Sequence, residues 1–179
     1  MGGQTREVRE AHAVLEATGV QRPPVPVESI ARQLGAKLSY EPFDGNVSGL
    51  LYRDGDGDQV IIGVNTLHPE ARQRFTVAHE LGHWKLHPGK RVFLDHLVRV
   101  DFRDQRSAAA TDREEIQANA FAAELLMPRD MIVHEVTHHG LTGSPISVDQ
   151  LVEELAAVFQ VSHQAMEYRL VNLGIRGHL

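Results

Sequence analysis

The chain has 179 residues, 42% of them hydrophobic, a formal net charge of −6 and no cysteine. Such a length and apolar content suit a single domain over 1–179 with a sizeable core. The negative charge argues against a general polyanion binder, and the lack of cysteine excludes both a disulfide framework and thiolate metal ligands. The first residues, Met1 to Glu7, carry no apolar signal core, and no run approaches the roughly 18 apolar residues of a membrane span. A cytoplasmic protein with no membrane partner is expected.

From Arg6 to Thr18, residues Val8, Ala11, Val14 and Leu15 recur at helical spacing and Gly19 follows, which predicts a helix with a glycine stop. Gln21 to Pro26 is proline-rich and reads as an extended connector too short to separate domains, so 1–23 is an N-terminal helix with its connector. A second helix is expected from Val27 to Leu34. Three short strands follow, Lys37 to Phe43, Ser48 to Arg53 and Gln59 to Val64, with Leu50 and Val60-Ile61-Ile62 as core candidates. Asp54-Gly55-Asp56-Gly57-Asp58 opens like a calcium loop, but Gln59 stands where such a loop needs glycine and Asn65 where it needs glutamate. A hairpin turn is expected there instead.

Pro69 and Glu70 start the next helix and Pro88-Gly89 stops it, about five turns later. Inside it lies His79-Glu80-Leu81-Gly82-His83. Histidines four residues apart stand one above the other on a helix face, so both rings can reach one ion. Glu80 sits one position round, where it can take a proton from a water without joining the ligands. The same spacing recurs in His134-Glu135-Val136-Thr137-His138, so spacing alone does not choose. Context favours the first copy, which lies deep in a long helix. The second lies between Pro128 and Gly140 with β-branched Val136 and Thr137 inside it, and is expected to be a polar, partly exposed segment.

A catalytic zinc takes three protein ligands and keeps one position open. His87 is not the third, because His79 and His87 stand about 12 Å apart along a helix axis and three such rungs cannot converge. A metzincin arrangement fails as well, since it needs a glycine turn and a histidine six residues on. Lys90 to Ser107 is a longer connection, strand-like at Val92-Phe93-Leu94 and at Val98-Arg99-Val100, and a candidate lid or substrate loop; His96 within it reads as a surface histidine. Thr111 with Glu114 then forms a capping box, and Ala118, Phe121, Ala122 and Leu125 make an apolar face whose small residues allow two helices to approach closely. Glu115 lies at the edge of that face, with Asn119 one turn later. One of Glu114 and Glu115 is read as the third ligand, Glu115 by preference, and Asn119 as the acceptor that fixes the ring of His79 or His83. The plainer alternative is that both acids only complement the helix dipole.

After Pro128 a short helical segment leads to the turn Gly140 to Pro145. Ser147 with Gln150 opens a helix through Leu151, Leu155, Ala156 and Phe159, and Val161-Ser162 starts a last one with Met166, Leu170 and Leu173. This pair, 147–175, has helix-turn-helix character, yet its second helix offers only Arg169 beside Glu167, so packing on the core is favoured over contact with nucleic acid. The expected fold is α+β: a small three-stranded, mostly antiparallel sheet packed against a zincin-type helix and a second ligand helix, with C-terminal helices. The strand running into the metal helix is expected to pair with a substrate backbone through Val60, Ile62, Val64 and Asn65, unless it is a fully paired interior strand. Tyr52 and the spare histidines are candidates to stabilise an oxyanion.

The stretch Arg74-Phe75-Thr76, Ala78-His79-Glu80-Leu81-Gly82-His83, followed by Glu115, Ala118-Asn119 and Phe121-Ala122-Ala123-Glu124-Leu125-Leu126-Met127-Pro128, resembles the ImmA/IrrE family of metallopeptidases. The likeness runs from about Pro24 through the C-terminal helices. It implies that His79, His83 and Glu115 are metal ligands and that Glu80 is catalytic. It further implies a soluble zinc endopeptidase, bacterial or phage-related, that cuts a helix-turn-helix repressor in mobile elements or stress responses. Manganese or iron can replace zinc at such ligands. Two other readings stand beside this one: a protein that sequesters a repressor without cutting it, with a structural metal, and a DNA-binding regulator using the C-terminal helices.

Overall fold

The computed structural model describes residues 4–44, 47–54, 59–88, 92–96, 110–142 and 147–175. Helix α1 (Arg6–Thr18) buries Ala11, Val14 and Leu15 along one stripe and ends at Gly19, whose φ of 69° closes the helix in the left-handed region. Helix α2 (Val27–Gln33) buries Val27, Ile30 and Ala31. Strands β1 (Ala36–Glu41), β2 (Val47–Arg53) and β3 (Val60–Asn65) match the three expected, and β4 (Val92–His96) adds a fourth in the connection whose sequence is strand-like. The order is β1-β3-β2-β4, with β1 parallel to β3 and the other two pairings antiparallel. The architecture is therefore α+β with a mixed, mostly antiparallel sheet. The Asp54 and Gln59 backbones pair at 3.1 Å where the β2–β3 hairpin turns; residues 55–58, the rest of the acidic turn, lie outside the described residues. The lid expected over 90–107 lies outside them too, apart from β4.

One expectation is overturned by the sheet order. β3 cannot lend an edge to a substrate, because β1 pairs with it along Val60–Asn65 and β2 along Val60–Val64. Val60, Ile62 and Val64 are core side chains, as a nearly continuous apolar run in an interior strand should be. Asn65 is buried for a structural purpose. Its Nδ2 donates to the carbonyls of Phe43 and Val47 at 3.2 and 2.7 Å, and its Oδ1 accepts from the Phe43 and Leu67 amides.

Helix α3 (Glu70–Leu86) starts after Pro69 and is buried on several sides, touching β2, β3, α1, α2 and α4. Arg74 ties it to the surrounding chain, donating to the Val25 carbonyl at 2.8 Å and to that of Gln160 at 3.1 Å. Against it lies α4 (Ala110–Leu126); the Thr111 side chain, expected to cap it, lies outside the described residues. The two helices lie close together at Gly82. A Cβ there would stand 3.0 Å from Ala118 Cα and 3.2 Å from Phe121 Cδ1. Because the first of these is helix backbone, it has no side-chain torsion with which to yield. Gly82→Ala is expected to cost about 1–3 kcal/mol in urea unfolding, the usual range for overpacking. Parent-like stability would show that the helices part without strain.

Helix α5 (Arg129–Thr142) is longer than expected and includes the second histidine motif in helical form. Thr137 fits because its hydroxyl donates to the Val133 carbonyl at 2.7 Å, and Ile132 anchors the helix in the core. Ser147 and Gln150 cap α6 (Val148–Phe159) reciprocally, and Ser162 caps α7 (His163–Asn172). Leu151, Leu155, Phe159, Met166 and Leu170 join the same core cluster as Val77 and Leu81 of α3, so this helical pair packs on the body of the protein.

Glu124 joins four helices. It is nearly fully buried in α4, ion-paired to Arg169 of α7, 2.8 Å from His12 Nε2 of α1, and it accepts from the Arg129 amide at the start of α5. Burial by itself would raise its carboxyl, but Arg169, His12 and the Arg129 amide more than offset this and hold it below the usual carboxylate range. A lowered folded-state pKa contributes stability that is present above the unfolded value, about 4.3, and is lost as pH falls through the folded one. Glu124→Ala leaves the largely covered Arg169 with the Met127 carbonyl but without its carboxylate partner, and is expected to cost about 3 kcal/mol, the lower end of the range for breaking a buried pair. Acid unfolding below pH about 4.3 should lose this component in Glu124→Gln. An unchanged acid limb would assign that stability to other carboxylates.

Candidate metal centre

The site is built where α3 crosses α4. Helical spacing stacks His79 above His83, with ring centroids 4.6 Å apart and planes at 78°. Their Nε2 atoms face each other at 3.0 Å. Glu115, from the second turn of α4, brings Oε2 to 3.2 Å from His79 Nε2 and Oε1 to 3.2 Å from His83 Nε2. Each of the three residues offers a donor atom, and these lie within 4.8 Å of one another. Both histidines are buried, while the Glu115 side chain is 35% exposed, so the group opens to solvent on the α4 side.

This arrangement fits a divalent ion. Donors at about 2.0–2.1 Å around a tetrahedral centre stand roughly 3.3 Å from one another, close to the separations seen here. Asn119, one turn after Glu115, places Oδ1 2.9 Å from His79 Nδ1. With that oxygen accepting, Nδ1 carries the proton and Nε2 keeps its lone pair toward the group. Burial pushes the His83 imidazole down, ahead of the opposing pull of Glu115, which favours its neutral form. Burial by itself would raise Glu115, but with protons on the His79 and His83 Nε2 atoms their hydrogen bonds and charge win and hold its carboxyl well below the usual range; a cation in place of those protons would exert the same pull. Neutral imidazole and ionised carboxylate are the states in which these groups ligate.

Glu80 is fully buried and is not among the three donors. It faces β2 at Gly49, where an added Cβ would stand 3.4 Å from Glu80 Oε1 and run into Thr76 Cγ2. Only a glycine lets the strand lie this close to the helix beside that carboxylate. Tyr52 is not brought to the group. Gly49 and Arg53 turn toward α3, so strand alternation directs Tyr52 to the other face of the sheet, where it is 41% exposed. The second motif is equally remote in character: His134 is 75% exposed, its Nδ1 is 3.4 Å from Glu135 Oε1, and the His138 side chain lies outside the described residues.

Two neighbours of the site take part in ways the sequence does not predict. Arg53 donates to the His83 and His87 carbonyls at 3.0 and 2.9 Å, and His87 Nε2 stands 3.2 Å from the Glu114 carbonyl. Nothing in the sequence signals Arg53, a single strand-end arginine. His87 stands out in the sequence only as a histidine four residues after His83 that helix geometry excludes as a ligand; its bond to Glu114 has no local signal.

A helix presenting two histidines to a carboxylate from a second helix, beside a small mixed sheet, has the donor set that a metallopeptidase needs. The comparisons agree. Residues 31–171 match the peptidase family described as the IrrE N-terminal-like domain. The chain is 30% identical over 159 residues to Metallopeptidase ImmA of Bacillus subtilis (strain 168), covering 83% of each chain. It is 33% identical over 87 residues to Uncharacterized immunity region protein 2 of Bacillus phage phi105, covering 49% of each. A Mycobacterium tuberculosis transcriptional regulator shares the fold at a TM-score of 0.56 and 15% identity, over 93% of this chain and 47% of that one. The chain belongs to the IrrE N-terminal-like family of metallopeptidases. No helix among the described residues is long and apolar enough to cross a membrane.

Proposed function

We propose that this chain is a zinc-dependent endopeptidase in which His79, His83 and Glu115 hold the ion and Glu80 moves the proton. The observation that carries this reading is the convergence of the three donor atoms from two helices, with Glu80, next to His79 in the chain, buried and outside their number. Zinc, or manganese or iron in its place, would supply Lewis acidity, lowering the pKa of a water and stabilising negative charge on a peptide oxygen. Glu80 accepts the proton of the attacking water and returns it to the leaving amine. Asn119 keeps the His79 ring in the tautomer that ligates. With β3 enclosed, the border strands among the described residues are β1 and β4, and we assign the substrate backbone to β4, beside the strand that passes Glu80 at Gly49.

The substrate we propose is a helix-turn-helix repressor, cut in a cytoplasmic setting. The relatives named for a metallopeptidase and for a phage immunity region support that direction. A structural metal in a non-cutting repressor binder fits less well, since such a site is usually closed by a fourth protein donor and the group found among the described residues has three. DNA binding through α6 and α7 is also disfavoured, because Arg169 is engaged by Glu124 and the Met127 carbonyl.

The test is to mix the purified protein with the repressor encoded by a neighbouring reading frame. Discrete fragments that disappear with chelator and return with zinc are expected. Complex formation with an intact repressor under full metal loading would favour the non-cutting binder.

A further inference from the structure

His79 and His83 stand on α3 and Glu115 on α4, so a shared ion needs the ends of two helices held in register to about 0.5 Å. The close contact at Gly82 and Ala118 presses the helices together. Apolar contact is not directional, however, and does little to resist sliding or rotation. Besides the Asn119 to His79 bond, which orients a single ring, directional bonds sit further along, at the end of α3. Arg53, the last residue of β2, forks over that end, with Nη2 donating to the His83 carbonyl at 3.0 Å and Nη1 to the His87 carbonyl at 2.9 Å. The His83 carbonyl already accepts from the His87 amide at 3.0 Å and takes the guanidinium as a second donor, and both carbonyls lie at the negative end of the helix dipole, which suits a guanidinium. The ring of His87 then reaches across, its Nε2 standing 3.2 Å from the carbonyl of Glu114, the peptide unit that leads into Glu115.

We propose that Arg53 and His87 are positioning residues for the metal centre, a brace that fixes the last turn of α3 against the early turns of α4. The brace rests on the reading of His79, His83 and Glu115 as ligands, and names two groups that belong to neither the ligand set nor the proton path. The continuous route is β2, Arg53, the backbone of His83 and His87, the His87 ring, then Glu114 and Glu115. Arginine suits the first link because its planar fork meets two carbonyls at fixed spacing, where a lysine is a single point charge. His87 suits the second because a ring nitrogen can donate sideways from a helix end while the His87 backbone is still held by Arg53.

The experiment uses the full chain. It measures zinc affinity by competition with a chromophoric chelator, the visible spectrum of the cobalt(II)-loaded protein, and the melting temperature without metal. Arg53→Lys and His87→Phe are each expected to weaken zinc binding about 10–100-fold and to alter the cobalt bands, as loss of a supporting hydrogen bond does at metal sites. His87→Gln can still donate to the Glu114 carbonyl and should stay within about threefold of the parent, well short of that loss. The two His87 variants decide by themselves if Arg53→Lys yields little folded protein. Variants with parental zinc affinity and cobalt spectrum, or with only a lower melting temperature, would overturn the brace and leave the ligand assignment standing. A parent that binds no zinc would remove the ligand assignment and the brace together.

Discussion

Replacing Glu80 with glutamine is expected to lower the turnover of a peptide substrate by about 10²- to 10⁴-fold, the span attributed to general acid–base catalysis. Metal content should stay at the parental level. Glutamine keeps the volume of the side chain in a site that is fully buried, so packing against Gly49 and Thr76 is preserved while the proton acceptor is lost. Elemental analysis run beside the kinetics separates the two roles open to this residue. Metal lost along with activity would place residue 80 among the ligands. Undiminished turnover at matched loading would take the proton transfer away from it.

The second large effect is expected at Glu115. Glu115→Ala removes the one anionic donor of the three and the group's only contribution from α4. Losing a ligand should exceed the 10–100-fold cost of losing a supporting hydrogen bond, so zinc retention is expected to fall by more than about 100-fold. Glu114→Ala is the control, because that residue serves the site through its backbone carbonyl, which alanine keeps. Equal loss from both variants would point to a general effect of acid in the first turns of α4 rather than to a ligand. In the metal-free fold Glu115→Ala also removes the contacts of this carboxylate with the two imidazoles, so zinc retention is compared on folded protein.

Much of this architecture was readable without coordinates. The helix over Arg6–Thr18 and its Gly19 stop, the three strands, the long helix after Pro69 and the Ser147–Gln150 capping box all occur where local signals place them. These features depend on torsional preference and nearest-neighbour hydrogen bonds, which a short stretch of chain carries within itself. The second histidine motif shows where such reasoning falls short. Val136 and Thr137 weaken an isolated helix, yet α5 runs through them because Thr137 bonds back to Val133 and Ile132 is packed in the core.

The strand expected to meet substrate shows the same limit on a larger scale. An apolar run such as Val60-Ile61-Ile62 identifies a strand but not its neighbours, and only the sheet order encloses β3 and leaves β4 at the border among the described residues. Tyr52 turned away for a related reason: the face it takes follows from the side on which Gly49 meets Thr76.

By itself the sequence determined that two histidines share one face of a long helix, that Glu80 stands beside them, and that a later helix carries an acid and an amide one turn apart. These are properties of helical periodicity and hold wherever the helix lies. Tertiary structure decided which acid reaches the imidazoles, how near it comes, and that Arg53 and His87 connect the pieces. Distances between separate elements depend on how small residues such as Gly82 and Ala118 let backbones approach, and no local pattern encodes that.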